Sequence, residues 1–161
     1  MYKPIIGTLG YILSPCKKRV LLMHRNTRKD DHHRGKYNGL GGKMEADEDV
    51  VYCMRREIFE ESGLTCTQMV LRGTINWKGF GPEGESWLGF IFLVTGYTGT
   101  LKTENEEGRL AWHNLADIEH LPMWEGDRYF LPLVFDDDPR IFHGFLPYVD
   151  GRPVSWSFTR Q

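Results

Sequence analysis

Short runs of apolar, β-compatible residues make up much of the chain and predict strands. The first two, Ile5–Leu13 and Arg19–Met23, are separated by a brief polar break at Ser14–Lys18, which is typical of paired strands. Three further runs of this kind lie at Met69–Trp77, Trp87–Thr95 and Arg109–His113. The pattern therefore predicts a domain in which a sheet is a large component.

The strongest helical pattern is in Glu48–Ser62. Val50, Met54 and Ile58 recur every four residues and would form one apolar face. Gly63 follows directly, where a glycine in the left-handed conformation commonly ends a helix. We expect one amphipathic helix to end at this glycine.

The last third of the chain predicts a shorter helix at Asp127–Asp136 and a closing hairpin. The hairpin strands are Phe142–Val149 and Val154–Thr159, joined through Asp150 and Gly151, a favourable turn pair. Strands lie before and after the main helix, which predicts an α+β fold or an α/β/α layered domain. No repeat or linker divides the chain, so residues 1–161 are expected to form a single domain.

Composition narrows the classes of function. The chain has 20 basic and 22 acidic residues and a formal net charge of −2, so it lacks the cationic field that a long nucleic acid would require. Its three cysteines form no disulfide or metal pattern, and no apolar run is long enough for a membrane helix. We expect a cytoplasmic protein, a monomer or small homo-oligomer, without a membrane or long nucleic acid as partner.

Polar residues dominate Asn26–Lys36, which predicts a long exposed loop. His32 and His33, together with Lys29 and Arg34, could hold a triphosphate, although an exposed polar loop explains their presence equally well. The sequence leaves both interpretations open.

Three glutamates, Glu57, Glu60 and Glu61, occupy one face of the predicted main helix, within a sector of roughly 100°. Like charges at this spacing repel one another, and anions are disfavoured near a helix C-terminus. A solvated acidic face is one interpretation. A hard divalent cation is the other, because Mg²⁺ prefers carboxylate oxygens together with substrate phosphates.

The spacing around these glutamates favours the cation. Gly42 is followed after five residues by Glu48, and after seven more by Arg56-Glu57-Ile58-Phe59-Glu60-Glu61-Ser62-Gly63-Leu64. Residues 42–64 resemble the Nudix box at every defined position. The resemblance implies the Nudix fold, an α/β/α sandwich with a mixed central sheet. It also implies a hydrolase that uses Mg²⁺ or Mn²⁺ to cleave a nucleoside diphosphate linked to another group.

The same resemblance implies roles for individual residues. Glu57, Glu60 and Glu61 would be metal ligands and catalytic groups, and the carbonyl of Gly41 would add an oxygen. Arg56 would orient the glutamates, while Glu48 would support the loop. Glu57 is the first candidate for the general base, because a carboxylate among carboxylates can have a raised pKa. Glu107 remains the alternative base.

Residues outside the box resemble a narrower group, the MutT-type and mammalian-type oxidised purine nucleoside triphosphatases. The segment Tyr37-Asn38-Gly39-Leu40-Gly41-Gly42-Lys43 is similar to a substrate-binding segment of that group. In that group the asparagine, here Asn38, contacts the purine. Leu40, Gly42 and Lys43 would also contribute to the substrate site.

Further similarities lie before and after the box. Glu107 precedes Trp112 by the interval that separates the group's additional metal-binding glutamate from its tryptophan. Trp124 and Asp127 would stack on the base and hydrogen-bond its edge, although Trp124 could instead be a core residue.

The match departs at Gly126, which stands where the group has its first aspartate. Without an acid at this position, Asp127 would contact the oxidised base edge, and Glu125 could substitute for the missing aspartate. Thr8 and Arg25 are placed like a pocket-lining threonine and lysine, and Arg25 could hold phosphate.

The resemblance implies a specific reaction, in which an oxidised purine nucleoside triphosphate such as 8-oxo-dGTP is hydrolysed to the monophosphate and pyrophosphate. The cellular role would be the removal of damaged DNA precursors, which belongs to DNA repair. One alternative is a Nudix hydrolase of ADP-ribose, a dinucleoside polyphosphate or an RNA 5′ end. The other is a nucleotide-sensing module without catalytic activity.

Overall fold

A computed structural model describes all 161 residues. The first half contains β1 (Ile5–Leu13), β2 (Arg19–His24), β3 (Tyr37–Asn38), β4 (Leu40–Lys43), α1 (Val50–Ser62) and β5 (Thr65–Trp77). The second half contains β6 (Trp87–Thr98), β7 (Arg109–Asn114), a 3₁₀ helix (Leu115–His120), α2 (Asp127–Phe135), β8 (Phe142–Phe145), β9 (Tyr148–Val149), β10 (Arg152–Pro153) and β11 (Ser157–Arg160).

The main sheet is mixed. Its strands follow the order β11-β8-β5-β6-β1-β2-β3, with β4 paired to β1 and β7 paired to β2. The β1–β6 and β5–β8 pairs are parallel, whereas the other pairs are antiparallel. The mixed central sheet that the resemblance implied is therefore present.

The two helices pack on opposite faces of this sheet. Side chains alternate along a strand, so Tyr11 packs in the core that contains α2, whereas Ile12 packs in the core that contains Met54 and Ile58 of α1. The same alternation separates neighbouring residues of β2. This arrangement confirms the predicted α/β/α layers and the α+β class.

Helix α1 begins two residues after the predicted start and ends at the predicted glycine. Asp49 is its N-cap, and its carboxylate accepts hydrogen bonds from the amides of Val51 and Tyr52. Gly63 closes the helix in the left-handed conformation, with φ of 77°. Neither α1 nor α2 is long and apolar enough to cross a membrane.

Two local features differ from the strand pattern that the sequence predicts. The glycine-rich segment 39–43, where no strand is predicted, includes β4, in which Gly41 and Gly42 pair with Leu9 and Thr8 of β1. Leu40 is fully buried on this strand, which supplies the apolar contact that the glycines lack.

The closing hairpin is also divided. Asp150 and Gly151 form the predicted turn, both with positive φ, but this turn joins only the two-residue strands β9 and β10. The outer arms β8 and β11 pair with each other in the main sheet instead. The break between the two pairings was not visible in the apolar pattern.

Arg72 of β5 fixes the end of α2. Its buried guanidinium donates to the carbonyls of Leu133, Val134 and Asp138, and to the carboxylate of Asp136 at 3.0 Å. These are groups that a helix C-terminus leaves without partners, and a cation is favourable there. The contact holds α2 against the sheet and so fixes the helix that begins at Asp127.

Replacing Arg72 with methionine should lower the free energy of unfolding by about 2 kcal/mol, because the Val134 carbonyl loses its side-chain donor. The Leu133 and Asp138 carbonyls and the Asp136 carboxylate would keep only Arg160 as a side-chain donor. Urea denaturation would measure the change. Arg109→Met is the matched control, since Arg109 is 75% exposed and should change stability by less than about 0.5 kcal/mol. Equal effects of the two substitutions would contradict this role for Arg72.

Candidate active site

A cleft of about 330 Å³ opens at β1, β4 and the start of α2. It brings together ten of the residues that the sequence indicated: Thr8, Arg25, His33, Asn38, Gly41, Gly42, Lys43, Glu107, Trp124 and Asp127. Trp77, Phe80 and Trp87 also line it. No pattern along the chain assigns these three aromatic residues to the site.

Leu40 does not join them. Its side chain is fully buried in the core beneath α1, with Met54 and Ile58, so the prediction that it contacts substrate is wrong for the side chain. Alternation along β4 explains this, because Leu40 points to the opposite face of the strand from Gly41. Thr8 does line the cleft, and its hydroxyl lies 3.4 Å from the sulfur of Cys53.

Arg56 connects the loop of residues 43–48 to α1. Its guanidinium donates to Glu48 at 2.6 and 2.8 Å, to Glu57 at 3.0 Å and to the carbonyl of Lys43 at 3.2 Å. These hydrogen bonds hold the pKa of the Glu48 carboxyl well below its usual range. The predicted orienting role of Arg56 and the predicted supporting role of Glu48 thus correspond to direct contacts.

Glu107 lines the cleft, whereas Glu57 and Glu61 lie beside two of its lining glycines, Gly42 and Gly41. The Glu57 carboxylate lies against Gly42, where a Cβ atom would come within 2.5 Å of its Oε1, and Glu61 accepts from the Gly41 amide at 3.2 Å. Burial, then the charges of Glu107 and Glu57, raises the pKa of Glu61 well above its ordinary value. Glu61 therefore lies within electrostatic reach of two other carboxylates.

These residues fit a hard divalent cation by their chemistry. Mg²⁺ prefers carboxylate and carbonyl oxygens, and a cation would relieve the repulsion that raises the pKa of Glu61. The geometry is open, since no three acidic, histidine or cysteine side chains form a ready-made metal site. Because Mg²⁺ keeps several waters and binds substrate phosphates, it does not require a closed protein cage.

Glu60 lies in a more exposed position than Glu57 and Glu61. Its side chain is 57% exposed and contacts Arg56 at 3.3 Å. The helix places it one turn from Arg56, on the solvent side of the acidic face. Glu57 and Glu61 thus contact glycines that line the cleft, whereas Glu60 contacts Arg56 at the surface, and metal binding by all three stays a prediction.

Arg25 is occupied by carboxylates. It donates twice to Asp31, at 2.8 and 3.1 Å, and contacts Glu107 at 3.3 Å. The expectation that Arg25 holds phosphate is not supported by these contacts, because both sides of the guanidinium face acids of the chain itself. Arg25 instead connects Glu107 to the polar loop.

Two polar groups that line the cleft lack side-chain hydrogen-bond partners in the chain. The buried side-chain amide nitrogen of Asn38 has no hydrogen-bond acceptor. The Asp127 carboxyl is also buried and makes no side-chain hydrogen bond, and burial raises its pKa to about 7. Unpaired buried polar groups are costly, and a ligand that supplies their partners would offset that cost.

Trp124 forms the aromatic wall beside these groups. It is only 8% exposed, and His32, Phe80 and Tyr148 contact its ring, while the ammonium of Lys36 lies 4.7 Å from the ring centre. It is thus a core residue that also lines the cleft, and stacking on a base stays a prediction.

The histidines of the polar loop pack inwards. His32 and His33 both contact Trp124, whereas Arg34 donates to backbone carbonyls of the same loop. The prediction that Asn26–Lys36 forms an exposed loop is therefore wrong at His32 and His33. The aromatic side chains that these histidines contact lie far away in the sequence, so the local pattern could not indicate them.

Gly126 has a physical reason to be glycine. A Cβ atom there would come within 2.4 Å of the Tyr148 hydroxyl oxygen, and the Gly126 amide donates to that oxygen at 3.1 Å. The space beside Asp127 is therefore filled by a tyrosine hydroxyl. Glu125 does not substitute for an acid at position 126, because its exposed side chain lies 4.0 Å from Arg152 at the surface.

A mixed sheet between two helices, with an acidic helix face beside a nucleotide-sized cleft, is the architecture that the box implied. Residues 5–134 match the NUDIX domain family. The chain belongs to the Nudix family and is a hydrolase of this class.

Individual relatives agree. The chain is 35% identical over 117 residues to an uncharacterized Nudix hydrolase, YvcI, of Bacillus subtilis (strain 168), covering 71% of this chain and 73% of that protein. It is 34% identical over 134 residues to the oxidized purine nucleoside triphosphate hydrolase of Danio rerio, covering 83% and 81%. The crystal structure of a MutT protein from Bacillus halodurans superposes with a TM-score of 0.82 at 27% identity, covering 96% and 97%.

Asp127 should make the stability of the protein depend on pH. Its folded pKa of about 7 exceeds the ordinary value of 3.8, so the folded state holds the proton more tightly than the unfolded state does. The contribution of Asp127 to the free energy of unfolding is therefore fully present below about pH 4. It is lost as the pH rises towards 7, by up to about 4 kcal/mol.

Asp127→Asn removes this titration. The free energy of unfolding of the variant, minus that of the natural protein, should therefore increase between pH 4 and 7. Above pH 7 this difference should stay constant. Chemical denaturation at intervals of half a pH unit would measure the difference. A constant difference across the whole range would show that Asp127 titrates normally.

Proposed function

We propose that this protein hydrolyses oxidised purine nucleoside triphosphates, such as 8-oxo-dGTP, to the nucleoside monophosphate and pyrophosphate. The observation that carries the proposal is the unpartnered amide of Asn38, which lines the same cleft as the buried carboxyl of Asp127. A purine edge offers both donors and acceptors, so it can satisfy both groups. Trp124 supplies an aromatic surface for the ring.

The distribution of charged residues in and beside the cleft supports one orientation of the bound nucleotide. A triphosphate extending from Asn38 would approach Glu107 and Lys43, which line the cleft. Glu57 and Glu61 lie beside the lining glycines Gly42 and Gly41. Glu57, Glu60, Glu61 and Glu107, with the Gly41 carbonyl, are the proposed ligands of Mg²⁺ or Mn²⁺. Glu60 must turn away from Arg56 to take part. When bound, the cation neutralises phosphate charge and lowers the pKa of a bound water.

The proposed reaction is an attack of water on the β-phosphorus. A bond forms between the water oxygen and this phosphorus, and the bond to the oxygen bridging the α- and β-phosphates breaks. The electron pair leaves with the nucleoside monophosphate. Glu57 accepts the water proton at Oε2, the oxygen that Arg56 does not contact. Glu107 is the alternative acceptor, although Arg25 contacts its Oε2.

The role in the cell would be to remove damaged nucleotides before they enter DNA, which places the proposed activity in DNA repair. The substrate is a small molecule, and a cytoplasmic location would suit it. This role rests on the proposed substrate and on the similarity to the Danio rerio hydrolase. A different substrate preference would refute this role.

The direct test is kcat/KM with Mg²⁺ for 8-oxo-dGTP beside dGTP, ADP-ribose and a dinucleoside polyphosphate. We expect 8-oxo-dGTP to exceed dGTP by at least about tenfold, since one hydrogen bond to the base can provide that discrimination. In ¹⁸O-labelled water the label should enter pyrophosphate. Glu57→Gln should lower kcat by at least about 100-fold, whereas Glu119→Gln, on the exposed 3₁₀ helix, should not change it.

Other results would separate the alternatives. Preference for ADP-ribose or a dinucleoside polyphosphate would retain the family chemistry and refute the proposed base contacts. Release of inorganic phosphate and a nucleoside diphosphate would refute the cleavage site. Tight nucleotide binding without turnover would instead identify a nucleotide-sensing module.

Asn38→Ala should raise KM for 8-oxo-dGTP by about fivefold with little change in kcat, because the amide contacts the base rather than the reacting phosphates. Asn38→Asp, which keeps the shape but removes the amide donor, should do the same or more. Steady-state kinetics would measure both, and Asn114→Ala at the exposed end of β7 is the control. A fall in kcat at unchanged KM would place Asn38 at the chemistry instead.

A further inference from the structure

The indole N–H of Trp124 donates to Nδ1 of His33 at 2.8 Å. This is a contact between residues 91 positions apart, and it satisfies the only polar group of a tryptophan that is 8% exposed. A buried indole N–H without an acceptor would be costly, which makes the hydrogen bond a strong constraint on the ring.

The hydrogen bond to Trp124 determines the tautomer of the His33 ring. An indole nitrogen can only donate, so Nδ1 of His33 must accept and any ring proton must lie on Nε2. Burial lowers the pKa of His33 to about 4, and the charge of Arg25 adds to this effect. The ring is therefore neutral at physiological pH, and Nδ1 keeps its lone pair for Trp124.

His33 is itself held in place. Its backbone amide donates to Asp31 Oδ1 at 3.0 Å, and the same carboxylate accepts two hydrogen bonds from Arg25. Arg25 in turn contacts Glu107, which lines the cleft. A continuous series of charged and hydrogen-bonded groups thus runs from Glu107 to the indole.

The other neighbours of Trp124 constrain it less. His32 and Phe80 contact the ring by packing alone, with centroid separations of 4.8 and 4.9 Å. Close packing limits the rotation of the indole, but it imposes no direction on the indole N–H. The hydrogen bond adds that constraint, because it weakens steeply as the angle departs from linear.

From this geometry we infer that His33 is a positioning residue: its Nδ1 holds the indole of Trp124 in the orientation that receives the purine ring, and the Arg25–Asp31 pair holds His33. The inference rests on the proposed function, since it assumes that the base binds at Trp124. It assigns Arg25 and Asp31 to the architecture of the base pocket rather than to the phosphates.

The hydrogen bond can be tested without substrate. In ¹⁵N-labelled protein the indole N–H signal of Trp124, assigned by its loss in Trp124→Phe, should exchange slowly with solvent. His33→Leu should make this exchange at least about tenfold faster. His33→Asn, which can place an oxygen near the position of Nδ1, should preserve most of the protection. His32→Leu is the matched control, because it removes ring packing and leaves the acceptor.

The functional consequence is tested with 8-oxo-dGMP, the proposed product, by calorimetry. His33→Leu should weaken its binding by about fivefold, the equivalent of one net hydrogen bond of about 1 kcal/mol, and His33→Asn should restore most of it. In the Trp124→Phe background, which has no indole N–H, His33→Leu should cause little further loss. For 8-oxo-dGTP the change should appear in KM rather than kcat.

The outcomes separate this inference from the proposed function. Rapid indole exchange in the natural protein, or equal losses from His33→Leu with and without the indole, would overturn the positioning role. If the natural protein binds no oxidised purine nucleotide, the proposed function fails and the inference fails with it, even where the indole is protected. Slow exchange, coupled losses and rescue by asparagine together would support both. A His33→Leu variant that does not fold leaves His33→Asn and Trp124→Phe to decide.

Discussion

The site depends above all on the set of hydrogen bonds around Arg56. One guanidinium joins Glu48 and Lys43 of the loop to Glu57 of α1, and the loop cannot leave the helix without breaking them. Three glutamates on one helix face repel one another, and a fixed cation among them lowers that cost. The same contacts hold β4 and its glycines beside the acidic face, so the floor of the cleft and its chemistry are fixed together.

The base end of the cleft is built differently, from elements that are remote in the sequence. The polar loop, the start of α2 and the chain around Tyr148 meet at Trp124. Arg72 fixes the far end of α2 against β5, and Arg25 connects the loop to Glu107. The cleft therefore lies between two groups of residues that are stabilised by separate contacts. The proposed substrate would contact both groups.

Much of this was predictable where the chemistry is local. Helix α1, its glycine cap and the box residues follow from spacing along one segment, because a helix converts sequence separation directly into a shared face. The partners of the polar loop were not predictable in this way. His33 meets Trp124 only because the chain folds back, and Leu40 turns from the cleft because β4 pairs with β1. Gly126 departs from the pattern of the group because a tyrosine hydroxyl occupies the adjacent space.

The central claim is that one nucleotide contacts both ends of the cleft. A crystal structure with 8-oxo-dGMP would test it most directly. The account predicts that the purine lies on Trp124, with its edge within hydrogen-bond distance of Asn38 and Asp127, and that the phosphate points towards Glu57 and Glu61. A purine bound away from Trp124, or a phosphate directed away from the glutamates, would contradict it.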